Sequence, residues 1–240
     1  MDKLTHVTFT GVDERTDIGR LIEIARRYPF AEFGILFSAH NAENGNRYPE
    51  IIPLLKELDR SGVRLSAHLC GHLVREIVKT GDFTGFRRAC GIRADMFARC
   101  QLNVAGASNG TPTRFLCFPS TMKQVIIQQK TREVFEGKRD GGRSLWHHFS
   151  TYNPICSLLL DDSGGAGVRG EFRYCDAPHV GYAGGIGPDN VTGVLEGIAA
   201  SPVVRDCWID MEGRVRTDDW FDLDKVFEVC ERVERFLKAS

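Results

Sequence analysis

The sequence predicts an α/β protein, a single (β/α)8 barrel domain over residues 1–240. Strand-like apolar runs alternate with amphipathic helical stretches about once per 30 residues, the pattern of parallel βα units. Eight such units in 240 residues match a closed barrel. The sixth run, Leu158-Leu159-Leu160, is apolar enough for a buried parallel strand and stops abruptly at Asp161-Asp162-Ser163-Gly164-Gly165-Ala166-Gly167. An open doubly wound sheet would need a glycine fingerprint after the first strand, and Thr10-Gly11-Val12-Asp13 is not one.

His6-Val7-Thr8-Phe9-Thr10 alternates and is β-branched, which makes it the first strand. After the loop from Gly11 to Thr16, Asp17 caps a helix running to about Arg27. Glu32 to Phe37 is the second strand, followed by a polar loop from Ser38 to Arg47. Pro49 suits a helix N-terminus, with Ile51, Ile52, Leu54, Leu55 and Leu58 on one face. Gly62 ends that helix, Val63 to His68 is the third strand, and helices follow at Leu73 to Lys79 and Phe83 to Gly91. Arg99 to Val104 is the fourth strand, Ala105 to Pro112 a small-residue loop, and Thr113 to Met122 a helix. The fifth strand, Gln124 to Gln129, leads into a charged loop from Thr131 to Gly142 and a short helix from Arg143 to Ser150. Ile155 to Leu160 and Val180 to Ala183 are strands six and seven, with a helix from Pro188 to about Ala199. Val203 to Ile209 is the eighth strand, and Leu223 to Leu237 closes the chain as an amphipathic helix.

Charge is balanced, 31 Lys+Arg against 32 Asp+Glu, so no global field recruits nucleic acid or an anionic membrane. The start of the chain does not read as a signal segment, and no apolar run approaches the ~20 residues of a membrane span. The eight cysteines are scattered without a CxxC pair, which fits reduced, buried thiols in the cytoplasm.

Barrel chemistry sits at the C-terminal strand ends. Here those ends carry Thr10, Ser38, His68, Asn103, Gln128 or Gln129, Asp161, Gly184-Gly185 and Asp210. Some polarity near solvent is ordinary, but the opposite strand ends lack this regularity, which points to a functional mouth. Asp161 leads the candidates, because a carboxyl at the rim of a low-dielectric core suits a general acid; a plain turn residue beside Asp162 and Ser163 is the bland alternative. The Gly184-Gly185 pair before a helix suits phosphate, which binds free N–H groups at helix N-termini. Gly164-Gly165 either brings backbone N–H groups to a ligand or forms a flexible turn. His68 and His72 stand four apart, but without a glutamate beside the first histidine, and with Gly71 between them, the metalloprotease pattern fails. Neither a metal nor another cofactor is expected. Trp146-His147-His148 reads as helix surface. The cysteines lack the basic surroundings of a nucleophile, Cys70 at a strand end coming nearest.

These residues resemble, in order along most of the chain, the phosphoribosylanthranilate isomerases, (β/α)8 barrels of tryptophan biosynthesis. Val7 to Val12 with Asp17 resembles that family's opening strand and loop. Phe33 to Phe37 with Arg47-Tyr48 resembles its second strand and Ser-Arg-Tyr segment, and Gln101-Leu102-Asn103 its Gln-Leu-His. Leu159-Leu160-Asp161 with Gly164-Gly165-Ala166-Gly167 resembles its Leu-Asp and Gly-Gly-Thr-Gly. The most specific match is Ala183-Gly184-Gly185-Ile186 with Pro188-Asp189-Asn190-Val191, which resembles Ser-Gly-Gly-Leu-x-Pro-Glu-Asn-Val.

The resemblance implies an Amadori rearrangement, in which a phosphoribosylamine ring opens and a proton leaves C2, needing one acid and one base. It places the acid at Asp161, the phosphate glycines at Gly184 and Gly185, and a substrate arginine at Arg47; Gly164, Gly165 and Gly213 are further phosphate-binding candidates. His68, Asn103 and Gln128 are the further substrate-binding candidates at the strand ends. The family's base is a cysteine ending strand 1; here that position is Thr10, a far weaker base, with Asp13 nearby. Strand 8 also departs: Asp210-Met211-Glu212-Gly213 puts a carboxylate where the family has hydroxyls around phosphate, and like charge there costs affinity. Either Arg214 or Arg216 compensates, or the ligand carries no phosphate. The expected function is acid–base isomerisation of a small, phosphorylated, sugar-like substrate by a monomer or homodimer. The alternative is a catalytically altered relative that binds a small ligand as a sensor or accessory protein.

Overall fold

The structure, a computed structural model, describes residues 3–38, 47–104, 112–113, 115–118, 120–135, 144–163 and 173–239, without the side chain of residue 92. Eight parallel strands close into a barrel in sequence order: β1 (Leu4–Thr10), β2 (Ala31–Phe37), β3 (Leu65–Leu69), β4 (Phe97–Asn103), β5 (Gln124–Gln129), β6 (Cys156–Asp161), β7 (His179–Ala183) and β8 (Asp206–Met211). The seam joins chain ends: Thr8 pairs with Asp210 and Phe9 with Met211.

Side chains alternate between the two faces of each strand, and in this barrel the alternation separates two environments. The outward set, including Phe9, Phe33, Ile35, Leu102, Ile127, Leu158 and Ile209, packs in the main apolar core. The inward set forms layers. At the floor, Arg99 pairs with Glu32, which also accepts from Thr8 at 3.0 Å. Above it, Ile126, Leu159 and Trp208 make a small apolar plug, with the Arg99 guanidinium 4.5 Å from the Trp208 ring. Gly181 makes room for that indole, since a Cβ there would stand 2.3 Å from Trp208 Cε2.

Among the described residues the outer layer has eight α-helices: α1 (Ile18–Arg27), α2 (Ile51–Leu58), α3 (His72–Thr80), α4 (Thr84–Cys90), α5 (Thr131–Phe135), α6 (Leu145–Tyr152), α7 (Val191–Ala200) and α8 (Leu223–Ala239). Asp17 caps α1 by accepting from the Arg20 N–H at 3.0 Å, and Gly81 ends α3 in the left-handed conformation that glycine adopts freely. In α8, Leu223, Val226, Val229, Cys230 and Val233 form the buried face; a fully buried large apolar side chain contributes roughly 1.5–3 kcal/mol. None of the helices among the described residues is long and apolar enough to cross a membrane.

Three helix assignments differ from the sequence reading. The described residues between Pro112 and Met122 are not helical. Pro112 and Pro119 punctuate the sequence there, and Thr113 and Cys117 donate their amides to the Val78 and Gly81 carbonyls, so the chain lies across the end of α3. The segment from Thr131, expected as loop, opens as α5, because Asp162 accepts from both the amide and the hydroxyl of Thr131 at 2.7 Å. The helix expected from Pro188 begins at Val191: the Asn190 amide bonds Gly187 N and Gly185 O, which folds the preceding residues into a turn.

After β8 a 3-10 turn (Gly213–Val215) leads into a hairpin of β9 (Arg216–Thr217) and β10 (Trp220–Phe221). Asp218 and Asp219 both take positive φ in its tight turn.

Candidate active site

The C-terminal strand ends surround a cavity of about 340 Å³. Inward positions feed it from nearly every strand: Thr10, His68, Gln101, Asn103, Gln128, Asp161 and Asp210. At β2 the inward residue is Gly34, whose Cβ would stand 2.6 Å from Thr10 Oγ1 and 2.9 Å from His68 Nε2. The missing side chain lets the Thr10 and His68 groups pack side by side.

Asp210 is buried beneath them. Its Oδ1 accepts from Thr10 Oγ1 at 2.8 Å, and its Oδ2 stands 4.0 Å from His68 Nδ1. Burial pushes the Asp210 carboxyl up to about 7, with the Glu212 and Asp161 charges adding to the rise and the Thr10 hydrogen bond and Arg99 opposing it. Burial and, to a lesser degree, Arg99 drive His68 down to about 3, so it is a neutral imidazole, with Nε2 bonded to Ser66 Oγ at 3.0 Å. A neutral histidine gives Asp210 no countercharge.

Asp161 sits two strands away, at the end of β6. Gln128 Nε2 donates to its Oδ2 at 2.6 Å, and the Ser163 amide and hydroxyl donate to its Oδ1 at 3.0 and 2.6 Å. Gly184 backs onto it: a Cβ there would stand 3.2 Å from Asp161 Oδ1. Of the two glutamines ending β5, Gln128 faces the cavity, whereas Gln129 Oε1 accepts from the Trp146 amide at the start of α6.

Gln101 donates to Asn103 Oδ1 at 2.9 Å, and Asn103 donates to Cys70 Sγ at 3.2 Å. Gln101 Oε1, buried in the cavity wall, has no hydrogen-bond partner among the described residues. Burial pushes the Cys70 thiol up to about 11, which leaves it a neutral thiol at ordinary pH.

Gly184, Gly185 and Gly213 line the cavity, the first two with φ of +99° and +65°, a turn that a side chain would strain. Gly164 and Gly165 lie outside the described residues. Arg47 lines the cavity but is already engaged: Nη1 donates to Glu212 at 2.7 Å, and Nε and Nη2 donate to Asp219 at 3.0 and 2.7 Å. Asp13, expected as a stand-in base, is held away from the cavity. Its Oδ2 accepts from Arg216 Nη2 at 2.9 Å and from the Phe221 amide at 2.7 Å, and its Oδ1 from Thr16 Oγ1 at 3.1 Å. A fully buried carboxylate paired in this way has no access to a ligand. Arg216 also donates to the Gly11 carbonyl at 2.7 Å, so it ties the hairpin to the loop after β1 and is unavailable to a phosphate.

No protein-family model matches the sequence, and neither does any curated protein. Solved structures do match the fold. Phosphoribosylanthranilate isomerase from Pyrococcus furiosus is 15% identical with a TM-score of 0.53, covering 96% of this chain and 99% of its own. The enzyme from Thermus thermophilus is 15% identical with a TM-score of 0.56, covering 96% and 98%. A phosphoribosylanthranilate isomerase solved with reduced 1-(o-carboxyphenylamino)-1-deoxyribulose 5-phosphate is 16% identical with a TM-score of 0.52, covering 97% and 100%. This chain has a phosphoribosylanthranilate-isomerase-like (β/α)8 fold. At such identities the likeness speaks for architecture alone.

The sequence offers Asp210 only as a polar strand end, yet burial lifts its carboxyl to about 7. The available signal was its spacing: Trp208 and Asp210 share the inward face of β8, and an acid there meets whatever β1 presents. Gln101 and Ser163 carried no comparable signal, because their positions follow from neighbours on other strands or on a turn.

Proposed function

We propose that the protein is an acid–base isomerase of a small sugar-like compound, with Asp161 and Asp210 as its acid and base. The observation that carries this reading is Asp210 itself: a buried carboxyl poised near 7, in one cavity with Asp161 and coupled to it by charge. A base whose pKa lies near the working pH combines a useful ionised fraction with real proton affinity. In this reading Asp161 protonates the ring oxygen as the C1–O bond breaks, and Asp210 removes the C2 proton. Ring opening leaves a protonated C1=O or C1=N bond; as the C2 pair forms the C1–C2 double bond, the C1=O or C1=N pair moves to the heteroatom. Asp210 then returns its proton to C1 while the C2 hydroxyl gives its proton to Asp161, which leaves a ketone at C2 and restores both carboxyls. Thr10 occupies the position of the isomerase family's cysteine base and orients Asp210 instead.

A barrel of like fold holds a deoxyribulose 5-phosphate analogue, so the substrate panel includes each sugar both free and as its phosphate ester. The positive-φ turn at Gly184-Gly185 lies just before α7 and borders the same space as the Asp161, Asp210 and Glu212 carboxyls. Incubating the protein in D2O with a panel of aldoses, ketoses and their phosphates should reveal one that takes up deuterium at C1 or C2. D161N and D210N should each lower that turnover by roughly 100-fold or more while remaining folded. Undiminished turnover in either variant would remove that residue's role.

Ligand binding without turnover is the second reading, favoured by Thr10 standing where the family has its base. Saturable binding of a panel compound with no deuterium uptake would establish it.

A further inference from the structure

Two arginines line the cavity among the described residues, Arg47 and Arg214, and both are matched by carboxylates of the protein itself. Arg47 lies between Glu212 and Asp219. Arg214 pairs with Asp189 at the turn before α7. Glu212, Asp161 and Asp210 all border the same space as Gly184 and Gly185. An anion arriving over those glycines would meet three carboxyls. To recruit Arg47 it would have to displace Glu212, leaving that half-buried carboxylate with less countercharge and facing the incoming anion, which costs affinity.

The rest of the wall suits hydroxyl groups. Gln101 Oε1 is an unpartnered buried acceptor in the cavity, beside the carboxamides of Asn103 and Gln128 and the neutral His68. Sugar hydroxyls both donate and accept, so each of these groups finds a partner without any charge being buried.

We infer that Glu212 acts as an internal anion that holds Arg47 and sets the cavity's specificity for an uncharged, polyhydroxylated carbonyl compound over its phosphate ester. This rests on reading the cavity as a sugar-like ligand site, and it names the class of ligand that site accepts. It also explains why strand 8 can depart from the family at Glu212 while the fold persists: the Arg47–Glu212 pair replaces a contact that the ligand would otherwise make.

Inorganic phosphate is the direct probe, because it reads anion binding without any turnover. Titrated at constant ionic strength and followed by phosphorus NMR line broadening, wild-type protein should show no saturation below roughly 10 mM phosphate. E212Q keeps the side-chain shape and removes the charge, leaving Asp219 as Arg47's remaining carboxylate partner, and should bind phosphate at least tenfold more tightly. A free ketopentose should outcompete its own 5-phosphate for wild-type protein, by at least tenfold. Sub-millimolar phosphate binding by wild type, or no gain in a folded E212Q, would overturn the assignment. Should E212Q not fold, the wild-type titrations decide alone. Failure of the acid–base reading would appear separately, as turnover that survives D161N and D210N.

Discussion

Thr10 Oγ1 donates to Asp210 Oδ1 at 2.8 Å across the seam where the first and last strands meet. That bond is the main local influence favouring the ionised form of a carboxyl that burial holds up to about 7. It ties the titration of the site to a single hydroxyl.

T10V should therefore raise the Asp210 pKa further. Once a turnover assay exists, the rising limb of activity against pH should move to higher pH in T10V. A limb that stays in place or moves down would show that the hydroxyl does not tune Asp210.

Stability should carry the same signature. Between its ordinary value of 3.8 and about 7, folded Asp210 holds a proton that the unfolded chain has released. Folding then takes up a proton, so stability falls as pH rises through that window, by at most about 1.4 kcal/mol per pH unit for this one group. D210N should flatten the decline and be the more stable chain at alkaline pH. Urea melts of both proteins across the window check this.

Arg216 and Asp13 form a buried ion pair, with side chains 3% and 0% exposed. R216A leaves Asp13 enclosed and unpaired, a change that costs about 3–5 kcal/mol in such settings. R232A removes an exposed pair with Glu228 one helical turn away and should cost less than about 1 kcal/mol. Comparable losses in denaturant melts would contradict the central place of Arg216.

Glycines offer a matched contrast. G181A drives a Cβ into Trp208 and Leu159 at 2.3 and 2.6 Å and should destabilise by about 1–3 kcal/mol or more. Gly193 in α7 has open space around it, so G193A should be neutral or stabilising by up to about 1 kcal/mol. Thermal midpoints that move together would show that packing at Gly181 is looser than the distances say.

Much of the barrel was legible because strand periodicity is local: Val7 and Phe9 face the outer core whichever partners arrive, and Thr8 and Thr10 face inward. The same parity carried Thr10, His68, Asn103, Gln128 and Asp161 to the cavity wall. Partnerships were not legible. Arg47 meets Glu212 and Asp219 from more than 160 positions away, and Asp13 meets Arg216 across 203. Neither separation has any trace in local patterning. The stretch from Thr113 to Met122 misled because its apolar residues fit a helix, whereas tertiary bonds to Val78 and Gly81 tie the described part to the end of α3.

The seam between β1 and β8 has a consequence for how the protein becomes competent. The residues it joins, Thr10 with Asp210 and Asp13 with Arg216, come from the two extremes of the chain. A partly synthesised or partly folded chain can hold seven strands and still lack the groove's central carboxyl. The cavity's Thr10–Asp210 pair thus comes into being only at ring closure, and any property that depends on it doubles as a readout of completed folding.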